Sequence, residues 1–191
     1  MVKITVLDYL SEFRRSPRSI GSFAESGPQL SAAMAKAANF KLGDIVVEFG
    51  PGTGVITAQL LAHGVSPSQL LLIEFNQKFV NILRMRFPHL TILHADAWQI
   101  EKILEKHFPE KKCAAIVSSL PLLNFPKSQR VELMAAVDRA LDPEHGRFVQ
   151  FSYGLKKPVE AASGFTASPS KWIIKNVPPA RVWTYVRHKA D

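Results

Sequence analysis

Between residues 44 and 153 the chain alternates short apolar runs with stretches in which apolar residues recur every three or four positions. The first pattern predicts buried strands and the second amphipathic helices. Their alternation predicts an α/β fold with a mostly parallel sheet covered on both faces. Strands are expected at 44–49, 70–75, 90–94, 114–118 and 147–153, and helices at 53–62, from Asn76 to 87, at 100–106 and at 127–141. Asn76 is placed to cap its helix through its side chain. Two helices are expected ahead of the first strand, at 2–14 and 29–38, with Pro28 suited to the first turn of the second. After residue 153 the period changes. Residues 171–176 and 181–188 read as two more strands, joined through Val177-Pro178-Pro179 with no helix between them, as in an antiparallel pair. Residues 154–170, with Pro158, Gly164 and Pro169, read as a loop. No repeat, low-complexity tract or linker divides the chain, so residues 1–191 are expected to form one domain, with 1–22 as an amphipathic N-terminal segment.

The most informative run is Val46-Val47-Glu48-Phe49-Gly50-Pro51-Gly52-Thr53-Gly54. It is a buried strand, an acid, three alternating glycines and a helix start, and such a turn lets backbone approach a ligand where a Cβ would intrude. The dinucleotide fingerprint wants glycine or alanine three positions after its second glycine. That place holds Val55 counted from Gly50 and Thr57 counted from Gly52, so the fingerprint fails. No Gly-Lys-Ser/Thr follows, which excludes a P-loop. Glu74 closes the second strand in Leu71-Leu72-Ile73-Glu74-Phe75, where a carboxylate can accept two hydrogen bonds from ribose hydroxyls. Phe75 beside it is placed either to stack on a base or to pack. Asp96 follows the third strand in His94-Ala95-Asp96-Ala97-Trp98, as a ligand acid or as the cap of the next short helix.

The spacing Glu48-x-Gly50-x-Gly52-x-Gly54 resembles motif I of class I methyltransferases. The resemblance implies a doubly wound, Rossmann-like sheet of seven strands with an antiparallel last strand. It also implies S-adenosylmethionine as cofactor and S-adenosylhomocysteine as product. Gly50 and Gly52 would lie against the methionine part, Glu48 near its amine, Glu74 on the ribose and Asp96 on the adenine amino group. Gly54, Phe75, Ala97 and Ser118 would complete that pocket. The fourth strand runs into Ser118-Ser119-Leu120-Pro121-Leu122-Leu123. Adenine and amide methylases often carry Asn-Leu-Pro-Tyr at this place. Here the amide and the stacking aromatic are both absent, and a planar base needs such a face and acceptor.

With Ser16-Pro17-Arg18-Ser19-Ile20-Gly21, Gln150-Phe151-Ser152-Tyr153-Gly154 and Asn176-Val177-Pro178-Pro179-Ala180-Arg181-Val182-Trp183 added, nearly the whole chain resembles small peripheral bacterial phospholipid N-methyltransferases. It is similar also to the rRNA adenine dimethylase superfamily. The first resemblance implies N-methylation of phosphatidylethanolamine towards phosphatidylcholine at the inner face of a cytoplasmic membrane. It places Ser119, Leu120, Pro121, Tyr153 and Tyr9 at the phospholipid substrate. No dedicated base is required, because the sulfonium is already activated and the enzyme mainly aligns amine, methyl and sulfur. Tyr153 is the best candidate for direct contact, holding the ammonium with its ring or the phosphate with its hydroxyl.

Charge and the N-terminal helix bear on the partner. Lys and Arg number 24 against 16 Asp and Glu, a formal net charge of +8. Such a balance suits an anionic partner, nucleic acid or an acidic membrane surface. On a helix over 2–14, Val2, Val6, Tyr9, Leu10 and Phe13 share one face with Lys3 and Arg14 beside it, while Asp8 and Glu12 fall away. That suits either a helix lying in an anionic interface, with Lys3, Arg14, Arg15 and Arg18 on the lipid, or an ordinary helix docked on the core. Asp8, Glu12 and the lack of a long apolar run speak against a signal peptide. Single Cys113 excludes an intrachain disulfide and suits a reducing compartment. The six histidines form no spaced ligand pair, so no metal is expected. No nucleic-acid partner is expected. The rivals are an RNA (adenine-N6) or protein methyltransferase and a non-catalytic membrane-surface protein on the same fold.

Overall fold

The computed structural model describes residues 27–109, 111, 113–159 and 164–188. The expected helix at 2–14, the segment from Ser16 to Gly21, and Tyr9, Lys3, Arg14, Arg15 and Arg18 lie outside the described residues. Seven strands form one sheet in the order β3-β2-β1-β4-β5-β7-β6. They are β1 (Ile45–Phe49), β2 (Leu70–Glu74), β3 (Thr91–His94), β4 (Cys113–Ser118), β5 (Arg147–Tyr153), β6 (Phe165–Pro169) and β7 (Ala180–Arg187). β1 pairs in parallel with β2 and β4, β2 with β3, and β4 with β5. β7 runs antiparallel to both of its neighbours, β5 and β6. The helices are α1 (Pro28–Ala38), α2 (Val55–Ala62), α3 (Gln77–Arg86), α4 (Ile100–His107) and α5 (Lys127–Ala140).

Every residue of β1, β2 and β4 is buried. These strands are covered on both faces, which is why they read as continuous apolar runs without alternation. One face packs on α1, α2 and α3 through Leu30, Met34, Ile56, Leu60, Val80 and Leu83. The other packs on α4 and α5 through Ile100, Ile103, Leu133, Met134 and Val137. Strand order reverses between β1 and β4, because the chain steps outward from β1 through β2 to β3 and then returns to β4 on the other side. In such sheets the crevice at the carboxyl ends of the strands beside the reversal is where ligands bind.

The tail differs from the pattern-based expectation. A strand forms at Phe165–Pro169, inside the stretch read as a loop, while 171–176 is no strand and contributes a single isolated bridge, Ile173 to Ala180. β6 is an edge strand that buries only Phe165 fully and tolerates Pro169 at its end. Its hydrophobic pattern is therefore one residue deep. In 171–176, Trp172 and Ile174 alternate as strand residues would, but both are exposed. The loop is held from below instead. Ile173 and Ala180 exchange backbone hydrogen bonds of 2.8 and 3.3 Å. Buried Asn176 accepts from the Gly27 N–H at 2.9 Å and donates to the Pro178 carbonyl at 2.7 Å. That fixes the loop to the start of α1.

Candidate active site

The turn after β1 takes three glycines with positive φ: Gly50 at 64°, Gly52 at 57° and Gly54 at 86°. Their surroundings differ. A Cβ on Gly54 would stand 2.4 Å from Phe87 Cε2 and 3.0 Å from Leu83 Cδ2, so Gly54 lets α2 close on α3. A Cβ on Gly52 would meet nothing within 4 Å, because that side opens on a cleft. Glu74, at the end of β2, braces the turn. Its Oε2 accepts from the Gly52 N–H at 3.1 Å and its Oε1 from the Asn76 N–H at 2.8 Å. Burial pushes the Glu74 carboxyl above its ordinary range, and the N–H groups of Asn76, Gly52 and Phe75 pull it back. Asn76 caps α3 as expected, its side chain accepting from the Lys78 N–H at 3.0 Å.

The cleft has a volume of about 1150 Å³. Its walls come from four strand ends: Gly50 and Gly52 after β1, Glu74 and Phe75 at β2, Asp96, Ala97 and Trp98 after β3, and Ser119, Leu120 and Pro121 after β4. Asp96 is a cap and also stands at the cleft. Its Oδ1 accepts from the Trp98 N–H at 3.0 Å, capping the 3-10 turn Ala97–Gln99. Trp98 stands edge-on to Phe125, ring centroids 5.3 Å apart, and its Nε1 donates to the Gln129 carbonyl at 3.2 Å. Phe75 meets the His94 ring edge-on at 6.4 Å. Two carboxylates lining a largely apolar slot suit a flat ligand that carries hydroxyl and amino donors. Phe79 and Ile82 of α3 and Phe125 also line the slot, and sequence reasoning missed them. The usable clue was that α3 starts three residues after Glu74, so its first turns must flank whatever Glu74 holds.

Glu48, Gly54, Ser118 and Tyr153 do not line this cleft. Glu48 is fully buried and turned to α2, where the Thr57 hydroxyl donates to its Oε2 at 2.7 Å. Its Oε1 is buried with no partner among the described residues. Ser118 Oγ accepts from the Leu120 N–H at 3.3 Å, and the Ser119 N–H donates to the Phe49 carbonyl at 2.9 Å, so both shape the wall. Gln150 of β5, 2% exposed, donates through Nε2 to the Leu120 carbonyl at 3.0 Å and fixes the same wall from behind. Tyr153 is half-buried on the α1 side of the sheet, edge-on to Phe151 at 5.3 Å. Burial pushes its hydroxyl pKa up, with Asn176 opposing. Among the described residues no three His, Cys, Asp or Glu side chains gather where a metal ion would sit.

The Glu48 carboxyl carries a pH prediction. Burial pushes it from the usual carboxyl value up to about 8, with the Thr57 hydroxyl lowering it and Glu74 adding to the rise. The folded state thus holds this proton more firmly than the unfolded chain does. The stability linked to it is complete below the unfolded pKa, near ~4.3, and is lost as pH rises through the folded value. The thermal midpoint is expected to fall between roughly pH 5 and 8, and Glu48→Gln, which stays neutral, to flatten that slope. Parallel profiles for the two proteins would remove the assignment.

Comparison with known proteins agrees with this geometry. A family model described as a methyltransferase domain matches residues 46–144. The ornithine lipid N-methyltransferase of Singulisphaera acidiphila is 30% identical over 148 residues, covering 75% of this chain and 76% of that protein. The ribosomal RNA small subunit methyltransferase A of Dehalococcoides mccartyi is 33% identical over 90 residues, 44% of this chain. The match spans only 28% of that relative's own length. Among solved structures, magnesium protoporphyrin IX methyltransferase (ChlM) from Synechocystis PCC 6803 with bound SAM superposes with a TM-score of 0.61 at 15% identity. That superposition covers 84% of this chain and 77% of the other. With the glycine turn, the acids after β2 and β3 and the lone antiparallel strand β7 all in place, the chain belongs to the methyltransferase domain family and has its class I fold.

Proposed function

We propose that the protein is an S-adenosylmethionine-dependent enzyme that methylates the amine of a membrane lipid, with phosphatidylethanolamine as the substrate and phosphatidylcholine the direction of the reaction. The observation that carries the lipid reading is the segment Ser119-Leu120-Pro121-Leu122, whose first three residues line the cleft and which offers neither the amide nor the ring expected at this place for a nucleobase. The similarity to an ornithine lipid N-methyltransferase over three quarters of both chains supports it. The ribosomal RNA methyltransferases favour a second reading, base methylation, but their similarity spans 39% to 61% of this chain and at most 37% of their own length.

The cleft fits the cofactor. When bound, S-adenosylmethionine supplies a methyl group already activated on a sulfonium and leaves as S-adenosylhomocysteine. Gly52 leaves open the space that a Cβ would fill on the cleft side. Glu74 keeps acceptor capacity for ribose hydroxyls beyond the two N–H groups it holds, since an ionised carboxylate has about four lone-pair sites. Asp96 would accept from an adenine amino group, and Phe75, Trp98 and Ile82, which line the cleft, would supply apolar surface for the ring. An ethanolamine-type amine has a pKa near ~10, so freeing its lone pair at neutral pH costs about 4 kcal/mol. The apolar wall at Leu120 and Pro121 disfavours the ammonium form and lowers that cost. Tyr153 lies off the cleft wall, at the end of β5, and remains the proposed ring for the methylated ammonium, at about 0.5–2 kcal/mol.

The test is radiolabelled methyl transfer with phosphatidylethanolamine vesicles, ornithine-lipid vesicles and ribosomal RNA offered together. Label is expected in phosphatidylethanolamine and its methylated products. Label in ornithine lipid alone would redirect the substrate to that headgroup, and label in RNA alone would sink the lipid reading.

A further inference from the structure

Four large apolar side chains stand out at one end of the sheet. Leu155, Val177 and Ile174 are 80%, 79% and 74% exposed, and Trp172 is 39% exposed. They lie on two loops, 154–159 after β5 and 170–179 before β7. β5 and β7 pair with Tyr153 opposite Ala180, so both loops leave the sheet at the same point. That point is the carboxyl end of β5, the end at which β1, β2 and β4 open on the cleft. A ladder of cations and rings joins the two loops. Lys157 Nζ lies 6.0 Å from the Trp183 ring, and Arg181 Cζ lies 5.9 Å from that ring and 5.0 Å from the Trp172 ring.

The exposed tips are displayed on a fixed base. Ile173 is bonded to Ala180, and buried Asn176 is bonded to Gly27 and Pro178. Ile174 and Val177 thus point outward from anchored neighbours. Lys156, Lys157, Lys171 and Lys175 are exposed between the apolar tips. From His145 to His188 the sequence contains one carboxylate, Glu160.

We infer that loops 154–159 and 170–179 form a docking surface for an anionic lipid membrane, at the same end of the sheet as the cofactor cleft. Large exposed apolar residues ringed by cations fit an interface in which side chains enter hydrocarbon and ammonium groups meet acidic headgroups. A tryptophan at the rim suits the headgroup level. Nucleic acid fits less well, because Leu155, Ile174 and Val177 are aliphatic and offer no ring for a base to stack on. The surface shares a lipid partner with the function proposed above, but it acts through residues outside the cleft.

The test is co-sedimentation of the full chain with vesicles of phosphatidylglycerol and phosphatidylcholine, which contain no methyl acceptor. Wild type is expected to bind in proportion to phosphatidylglycerol and to lose binding as salt rises. Leu155→Ser, Ile174→Ser and Val177→Ser together are expected to weaken partition by roughly ten-fold or more. Lys156→Gln, Lys157→Gln, Lys171→Gln and Lys175→Gln together are expected to abolish the phosphatidylglycerol dependence. Both variants should bind S-adenosylhomocysteine as wild type does, which reports an intact fold. Equal vesicle partition for wild type and variants would overturn the inference. So would loss of binding to a duplex RNA probe with vesicle binding unchanged. Vesicle binding lost in the variants, alongside no methyl transfer to any amine lipid by wild type, would support the surface and count against the proposed substrate.

Discussion

Replacing Glu74 by alanine is expected to weaken S-adenosylmethionine binding by about 1–3 kcal/mol, a loss of roughly 5- to 150-fold. The range follows from leaving polar partners unpaired, and here there are partners on both sides of the carboxylate. Towards the protein, Oε2 holds the Gly52 N–H and Oε1 the Asn76 N–H. Towards the cleft, which Glu74 lines, the proposed partners are the ribose hydroxyls. Alanine thus removes the ligand's acceptor and frees the glycine turn together. Glu74→Gln separates the two effects only in part, since its amide nitrogen must face at least one of those donors. Asp96→Ala is expected to be milder, because its protein-side partner is the single Trp98 N–H. Calorimetric titration with S-adenosylmethionine and with S-adenosylhomocysteine measures each. An unchanged affinity for Glu74→Ala would refute the assignment of the cleft.

The glycine turn gives the second large effect, as a contrast between Gly54 and Gly52. Gly54→Ala places a methyl group at a φ of 86° and 2.4 Å from the Phe87 ring. The left-handed backbone costs about 1–2 kcal/mol and the overpacking about 1–3 kcal/mol, together a large share of a stability of roughly 5–15 kcal/mol. A clear drop in the urea midpoint is expected. Gly52→Ala pays only the backbone cost, since nothing stands within 4 Å of the added carbon. Its melt is expected to fall modestly while cofactor binding is lost, because the methyl group occupies the cleft side of the turn. Normal binding by folded Gly52→Ala would show that no ligand approaches the backbone there.

Much of this was legible in the sequence for a specific reason. β1, β2 and β4 are covered on both faces, so each had to be apolar throughout, and Glu48, Glu74 and the glycines stand out against that run. Glu74 and Asp96 could be placed because they follow strand ends, and strand ends face the crevice. Glu48 is different. Strand parity puts it on the side of Val46, towards α2, whereas Val47 and Phe49 face α4 and α5. The motif's spacing marks the residue without stating which way it turns. Phe79, Ile82 and Phe125 escaped because their place in the wall depends on how helix and loop lie over the sheet, which period does not encode. Phe165–Pro169 escaped because an edge strand with one buried side chain has almost no pattern to read.

The position of β7 also dictates an order of assembly. Among the described residues β6 has no hydrogen-bonded neighbour in the sheet except β7, and β7 alone covers the outer side of β5. As the chain leaves the ribosome, residues 165–169 therefore have nothing to pair with until 180–187 have followed them out. Until then β5 presents a bare row of backbone donors and acceptors, a template for any other extended chain nearby. A nascent chain stalled at residue 179 would lack two strands rather than one, and would carry an adhesive edge into the cell.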